Sequence, residues 1–412
     1  MSAENIVWKD SFAKRASRMN ASEIRELLKL LDQPDVISFA GGIPDPALFP
    51  TGVVEQAYAR ILADPARSGP SLQYSVSEGY APLRAWIVRH MAALGVPCDI
   101  GNIVITAGSQ QGLDFIGKLF LSPGDTALVT APTYLGALQA FNPYEPRYDT
   151  LALGGNRTPD SYREAAAAAG GRVGLAYLVP DFSNPSGETV PLAERLALLD
   201  LAAALDTLVV EDAAYQALRY DGEPVRAIQA LDVERSGGIE QCRTLYCGTF
   251  SKTLVPALRV GWICGPSAAI AKIVLAKQAA DLHSPTINQM VMHEVAAAVY
   301  DAQVEKIRKV YHQRRDAMLA ALARHMPEGV TWTRPEGGMF VWVSLPEGMS
   351  GAALLARAIA ECRVAFVPGG AFYGEGRCDN RLRLSYSLSD PGQIEAGIGR
   401  LGALIRQVRA GA

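Results

Sequence analysis

Arg243-Thr244-Leu245-Tyr246-Cys247-Gly248-Thr249-Phe250-Ser251-Lys252-Thr253-Leu254 and, shortly after, Leu258-Arg259-Val260-Gly261-Trp262-Ile263-Cys264-Gly265 decide how this chain is read. Arg243 to Gly248 reads as a short buried strand, and Val260 to Gly265 as another. The turn between them carries Lys252, with Ser251 one residue before it, Thr249 three before it and Arg259 seven after it. A lysine amine forms a Schiff base with a carbonyl. Hydroxyls and an arginine hold a phosphate, the arginine by charge and by its planar fork of donors. A carbonyl and a phosphate on one small molecule describe pyridoxal phosphate. Alone, the same turn would pass for a surface lysine beside polar residues, so the rest of the chain must decide.

Working outward, strand candidates alternate with helical stretches. Ile103 to Thr106 precedes a helix over Gln111 to Leu121, and Ala127 to Thr130 leads into Tyr134 to Phe141. Val173 to Val179 is followed by a helix over Leu192 to Leu205, then by strands at Thr207–Glu211, Thr244–Gly248 and Val260–Cys264. Ala165 to Ala169 is a minor helix. Short apolar runs alternating with helices predict an α/β fold with a largely parallel, doubly covered sheet. Ligands of such sheets bind beyond the carboxyl ends of the strands. Ser109, Asn184 and Asp212 each follow or end one of these strands. From about Gln303 the pattern becomes amphipathic, with Val304, Ile307, Val310, Tyr311 and Leu322 on one helical face. Short strands at Gly338–Val343, Val364–Val367 and Arg381–Tyr386 follow, which reads as a smaller α+β domain.

Bulk properties exclude several classes. The 412 residues suffice for two or three domains or one large core with an appendage. A hydrophobic content of 49% with 20% charged residues is ordinary for a soluble enzyme. The net charge of −3 offers no basic field for nucleic acid. No apolar run is long enough to span a membrane; Asp200 and Asp206 interrupt the nearest one. Met1 to Asn20 lacks the apolar centre of a secretion signal, so the expected location is the cytoplasm. Cysteines 98, 242, 247, 264, 362 and 378 form no Cys-x-x-Cys and read as core residues, neither zinc ligands nor disulfides. The five histidines show no metal-ligand spacing, and His90, His312 and His325 read as solvated helix residues.

Several residues fit a cofactor site. Thr106-Ala107-Gly108-Ser109-Gln110-Gln111-Gly112 closes a strand and opens a helix, whose first N–H groups attract an anion. Ser109 reads equally as an ordinary N-cap, and the two roles are compatible. Asp212 ends the run Leu208-Val209-Val210-Glu211-Asp212, where a buried carboxylate needs a partner. An ion pair or a cap would serve; a protonated pyridine nitrogen would also serve, and its ring would then withdraw electrons from a substrate α-carbon. Tyr215 could donate to the ring's phenolic oxygen. Asn184, in Asp181-Phe182-Ser183-Asn184-Pro185-Ser186-Gly187, belongs to a turn after the strongest strand. Tyr134 could lay its ring on a flat heterocycle or simply pack.

Taken together, these motifs resemble the fold-type I, class I/II aminotransferases from about residue 20 to 390. Met19-Asn20-Ala21-Ser22-Glu23-Ile24-Arg25-Glu26-Leu27-Leu28 and Ser38-Phe39-Ala40-Gly41-Gly42-Ile43-Pro44 are most similar to the 2-aminoadipate and kynurenine aminotransferase branch. The resemblance implies a large domain over 51–304 with a mostly parallel seven-stranded sheet covered by helices, and a smaller α+β domain from 1–50 and 305–412. It implies pyridoxal 5'-phosphate bound to Lys252, with Asp212 on the pyridine nitrogen, Asn184 and Tyr215 on the phenolic oxygen and Tyr134 stacked on the ring. The amides of Ser109 and Gln110, the hydroxyls of Ser251 and Thr249, and Arg259 would hold the phosphate. Thr249 stands where relatives often carry serine. Arg383, in Arg381-Leu382-Arg383-Leu384-Ser385-Tyr386, would take the substrate α-carboxylate, near Asn184 and Gly42. Tyr74 would reach the phosphate of a neighbouring subunit in a homodimer. Arg25 would meet a distal carboxylate and swing away for apolar side chains. The implied reaction is amino transfer between an amino acid and a 2-oxo acid. One pair would be glutamate and 2-oxoglutarate; the other would involve aminoadipate, an aromatic or a branched-chain amino acid.

Two rivals share part of this pattern. A lyase or decarboxylase on the same fold would use the same Lys252 and Asp212. A non-catalytic effector-binding domain of a MocR-type regulator would need a DNA-binding domain before the fold. About twenty residues precede the motif at Ser22, against the ~50 of a small domain.

Overall fold

The computed structural model describes residues 8–19, 35–374 and 379–410. A two-residue strand, β1 (Ile37–Ser38), precedes the main sheet. That sheet comprises β2 (Ile103–Thr106), β3 (Thr126–Val129), β4 (Arg147–Thr150), β5 (Val173–Leu178), β6 (Leu208–Asp212), β7 (Thr244–Thr249) and β8 (Gly261–Cys264). Its order is β2-β8-β7-β6-β5-β3-β4. β8 runs antiparallel to both neighbours, and the other four pairings are parallel. Every residue of β2, β3, β5, β7 and β8 is buried, which is why each reads as an uninterrupted apolar run covered on both faces. Edge strand β4, Arg-Tyr-Asp-Thr, is partly exposed throughout. With no apolar run and with charges on its open edge, it escaped the sequence reading.

A second, antiparallel sheet has the order β12-β13-β10-β9. It is built from β9 (Thr331–Trp332), β10 (Phe340–Ser344), β12 (Val367–Pro368) and β13 (Arg381–Ser385). β11 (Val364–Ala365) pairs in parallel with β1. Arg383 sits in the middle of β13, opposite Trp342 on one side and Val367 on the other.

The amphipathic stretch seen from Gln303 is the second half of a 40-residue helix, Thr286–His325. Its first half hid from a periodicity reading because Met290, Val291, Met292, Val295 and Ala296 are all buried against the β2–β8 side of the molecule. Its second half packs Ile307, Tyr311, Met318 and Leu322 into the core that also holds the second sheet. One rigid element thus spans both sheets.

His90 is not solvated. Its ring stacks on Trp86 at 5.2 Å and meets Trp262 and Tyr300 edge-on, because positions 86 and 90 share one helical face turned inward. Burial pushes its pKa down to about 4, the charge of Asp301 opposing. His312 stacks on Tyr220 beside Asp221 and Asp316, and His325 bonds Glu395 at 2.7 Å, so both have partners too. The five described cysteines are free, and among the described residues no helix is long and apolar enough to cross a membrane.

The loop after β5 is fixed from beneath by Arg195, whose side chain is fully buried. Its guanidinium donates to the carbonyls of Val190, Arg226 and Pro180 and to Asp181 Oδ1 at 2.7 Å. Arg195→Met roughly keeps the volume but leaves Asp181, among the described residues, with Arg219 as its remaining cation, 3.9 Å away. Breaking a buried pair from one side costs about 3–5 kcal/mol. Denaturant unfolding should show a loss of that order; a loss below ~1 kcal/mol would mean that the pair is replaceable.

Candidate active site

The cavity at the carboxyl ends of β6 and β7 has a volume of about 750 Å³ and is lined by Ser109, Gln110, Tyr134, Asp212, Tyr215, Thr249, Ser251, Lys252 and Arg259. These residues come from four separate segments of sequence, and the sheet topology brings them together.

Lys252 is half-buried, and its Nζ donates to the Gly42 carbonyl at 3.1 Å. Desolvation, then the charges of Arg383 and Arg259, push its pKa down to about 8, with Asp212 opposing. Gly42 is held close: a Cβ there would lie 2.8 Å from the Phe340 ring.

Asp212 is buried at 2% exposure. Tyr177 donates its hydroxyl to Oδ2 at 2.9 Å, while Oδ1 has no hydrogen-bond partner among the described residues. Burial raises the Asp212 pKa to about 6, with the Tyr177 hydroxyl, the nearby Ala214 amide and Lys252 opposing. An orphaned carboxylate oxygen at a cavity wall is costly unless a donor arrives. A ring N–H⁺ fits that need.

Arg383 is 1% exposed. It donates to Asn184 Oδ1 and to the Ala40 carbonyl, both at 2.7 Å, and lies over the rings of Phe340 and Phe372. Burial lowers its pKa to about 10. No carboxylate pairs with it among the described residues, and its Nε is unpartnered. Asn184 in turn donates to the Tyr215 hydroxyl at 3.4 Å. Burial raises the pKa of Tyr215 well above its usual range.

The anion cradle is the turn between β2 and the helix Ser109–Phe120. Gly108, at φ 79, is the N-cap, so Ser109 is the first helical residue rather than the cap expected from sequence. Its amide and that of Gln110 precede the first intrahelical bond, from Gln111 to Gly108. A Cβ on Gly108 would collide with the Arg259 guanidinium, and one on Gly261 would lie 2.7 Å from the Ser109 nitrogen. Arg259 is held in the left-handed region at φ 53 and donates to the Ala107 carbonyl at 3.2 Å. Thr249 and Ser251 share a hydroxyl hydrogen bond of 2.9 Å. Tyr134 reaches the Gln110 side chain at 3.4 Å. These donors fit a phosphate, and the remaining groups fit the ring of pyridoxal 5'-phosphate.

Asn184, Arg383 and Gly42 do not line this cavity but are tied to it, Asn184 through Tyr215, Arg383 through Asn184 and Gly42 through Lys252. Tyr74 does not line it either; it is 79% exposed and meets His283 edge-on at 5.8 Å. Arg25 lies outside the described residues. The sequence reading missed Tyr177, because an aromatic in a buried strand looks like packing. No group of three or more His, Cys, Asp or Glu among the described residues could hold a metal ion.

Residues 35–401 match the family described as aminotransferase class I and II. The 2-aminoadipate transaminase of Thermus thermophilus is 43% identical over 98% of this chain and 99% of its own length. Aromatic-amino-acid aminotransferase 1 of Thermococcus litoralis is 40% identical over 99% of this chain and 97% of its own. The crystal structure of an α-aminoadipate aminotransferase from T. thermophilus, complexed with N-(5'-phosphopyridoxyl)-L-leucine, superposes with a TM-score of 0.87 at 41% identity, covering 99% of this chain and 100% of that one. A kynurenine aminotransferase from Pyrococcus horikoshii gives 0.89 at 42% identity, with 98% of each chain covered.

The depressed Lys252 pKa has a kinetic consequence. Only the neutral amine attacks a carbonyl. Capture of pyridoxal 5'-phosphate by the apoprotein should therefore speed up as pH rises to about 8 and level off above it. A rate still climbing towards ~10, where an ordinary lysine titrates, would contradict the burial argument.

Proposed function

This chain belongs to the class I and II aminotransferases and uses pyridoxal phosphate, and we propose that it exchanges amino groups between the glutamate/2-oxoglutarate pair and a larger amino acid: aminoadipate, an aromatic or a branched-chain one. The observation that carries the reading is the convergence of the Lys252 amine, the half-paired Asp212 and the carboxylate-free Arg383. The names of the relatives support the larger partner, since they act on 2-aminoadipate and aromatic amino acids. So does the cavity lining, where Ile43, Pro44 and Leu135 offer apolar surface.

When bound, the cofactor supplies a carbonyl for Lys252 and an electron-withdrawing ring. The chain supplies the rest. Arg383, fixed by Asn184 and two ring faces, takes the α-carboxylate through its planar fork. Lys252, whose pKa burial and the neighbouring cations lower to about 8, would act as the base that takes the substrate α-proton. Asp212 would keep the ring nitrogen protonated through Oδ1, since Tyr177 occupies Oδ2. Asn184 and Tyr215 would hold the phenolic oxygen and Tyr134 would lie against the ring. Arg259, Ser251, Thr249 and the amides of Ser109 and Gln110 would hold the phosphate. Tyr74, exposed in one subunit, would complete the cradle of its partner in a homodimer.

By resemblance to the aminoadipate and kynurenine branch, Arg25 would meet a distal carboxylate, and moving it aside for an apolar substrate would avoid burying an unpaired charge.

A panel of amino donors with 2-oxoglutarate tests the proposal. Keto acid and glutamate should appear in equal amounts; carbon dioxide or ammonia without glutamate would indicate a decarboxylase or lyase instead. Lys252→Ala should lose the yellow absorbance of the lysine-bound cofactor and essentially all turnover. Asp212→Ala should lower kcat more than cofactor affinity; parental turnover would reduce Asp212 to a structural role. Arg25→Ala should raise KM for dicarboxylic substrates more than for apolar ones, and equal effects would remove Arg25 from the pocket.

A further inference from the structure

Behind the phosphate cradle lies a charged cluster that the reaction does not use. Lys277, on the helix Ser267–Ala280, has a fully buried side chain. Its Nζ donates to both oxygens of Asp281, at 2.9 and 2.8 Å, to Ser284 Oγ at 2.9 Å and to Gln111 Oε1 at 3.4 Å. Gln111 Nε2 donates to Asp281 Oδ2, and Gln111 Oε1 also accepts from the Ala107 amide, both at 2.8 Å. Ala107 precedes Gly108 in the cradle, and its carbonyl is the one that Arg259 holds.

The logic of donors and acceptors makes this arrangement directional. A carboxamide turns either end towards a neighbour. Asp281 only accepts, so the Gln111 NH₂ must face it. Lys277 only donates, so the Gln111 oxygen must face it. The pair thereby fixes the one orientation that leaves Oε1 for Ala107, and with it the tilt of the peptides leading into Ser109 and Gln110.

The same cluster reaches the opposite way. The Ser284 carbonyl accepts from Gln289 Nε2 at 2.7 Å, and Gln289 Oε1 accepts from the Tyr80 amide at 2.7 Å. The neighbouring His283 packs edge-on against Tyr74, and the Thr286 hydroxyl reaches the Gln73 carbonyl at 3.5 Å. The segment carrying Tyr74 is therefore anchored to residues 283–289.

We propose that Lys277 is a positioning residue that sets the phosphate cradle and couples it to the Tyr74 segment, so that cofactor binding and subunit association strengthen each other. The coupling rests on the reading of Tyr74 as a group serving the partner's site; the setting of the cradle does not.

Lys277→Met keeps the length of the side chain and removes its charge and donors. Titration of the apoprotein with pyridoxal 5'-phosphate, followed by tryptophan fluorescence, should show a dissociation constant raised about tenfold, on the scale of one charged hydrogen bond. At saturating cofactor kcat should stay within about twofold of the parent, a split that a damaged catalytic group would not give. Sedimentation of apo and holo forms should show that the cofactor tightens the parent dimer, by reciprocity, and that Lys277→Met loses most of this difference. Gln111→Leu, which keeps the Lys277–Asp281 pair, should weaken cofactor binding similarly and serves if the first variant does not fold. Parental cofactor affinity in either folded variant overturns the proposal. Weakened affinity with an undiminished apo–holo difference in association overturns the coupling. If Tyr74→Phe alone leaves cofactor affinity unchanged, the reading of Tyr74 fails while the role of Lys277 in the cradle stands.

Discussion

A guanidinium buried without a carboxylate is the constraint around which the site is arranged. Removing Arg383 from water costs several kcal/mol, and no anion in the described chain repays it. What holds the charge is weaker: the carbonyl oxygen of Ala40, the amide oxygen of Asn184 and the faces of Phe340 and Phe372. Each belongs to a different segment, so Arg383 draws the β1 extension, the β5 loop and the second sheet onto one point. Its field also reaches Lys252, where after burial it helps to lower the pKa of the amine. The charge that awaits a substrate carboxylate thus prepares the base that acts on the same substrate.

The phosphate side depends on strand direction. β8 is antiparallel to β2 and β7, with Gly261 in register with both Thr106 and Thr249. Its beginning therefore lies beside the ends of its neighbours. Arg259, which precedes β8, arrives where Ser109 leaves β2 and where Ser251 and Lys252 leave β7. A parallel β8 would have put Arg259 at the opposite edge. The cost of this convergence is crowding, which explains glycine at 108 and 261 and a left-handed backbone at Arg259.

The parts of this arrangement legible in sequence were those with a local signature. Buried strands showed as apolar runs, the cradle as a Gly-Ser turn opening a helix, and Lys252 with Arg259 as a spaced pair. The fold brings Asp212, Tyr215 and Lys252 to one cavity and links Arg383 to Tyr215 through Asn184. What stayed hidden was whatever derives its meaning from three dimensions. Edge strand β4 has no core to announce it. The first half of the long helix is buried too widely to show a period. His90 lies in a charged stretch of sequence yet faces Trp86 and Trp262. Tyr177 differs from a packing tyrosine only by a hydroxyl 2.9 Å from Asp212.

That hydroxyl gives the two oxygens of Asp212 different roles. Without it, a carboxylate in so dry a place would gain a proton more readily, since burial already raises its pKa to about 6. By donating to Oδ2, Tyr177 favours the ionised form and leaves Oδ1 as the acceptor for an incoming cationic donor. The sign of the linkage follows. With its folded pKa above the unfolded value of ~3.9, Asp212 favours folding least at neutral pH, and the penalty eases as pH falls through about 6. Below that pH the protonated acid could no longer hold a ring proton electrostatically. The fold thus keeps a carboxylate charged where charge is destabilising, as it keeps Arg383 charged without a carboxylate partner among the described residues. Both deficits are of the kind a bound cofactor and substrate would repay.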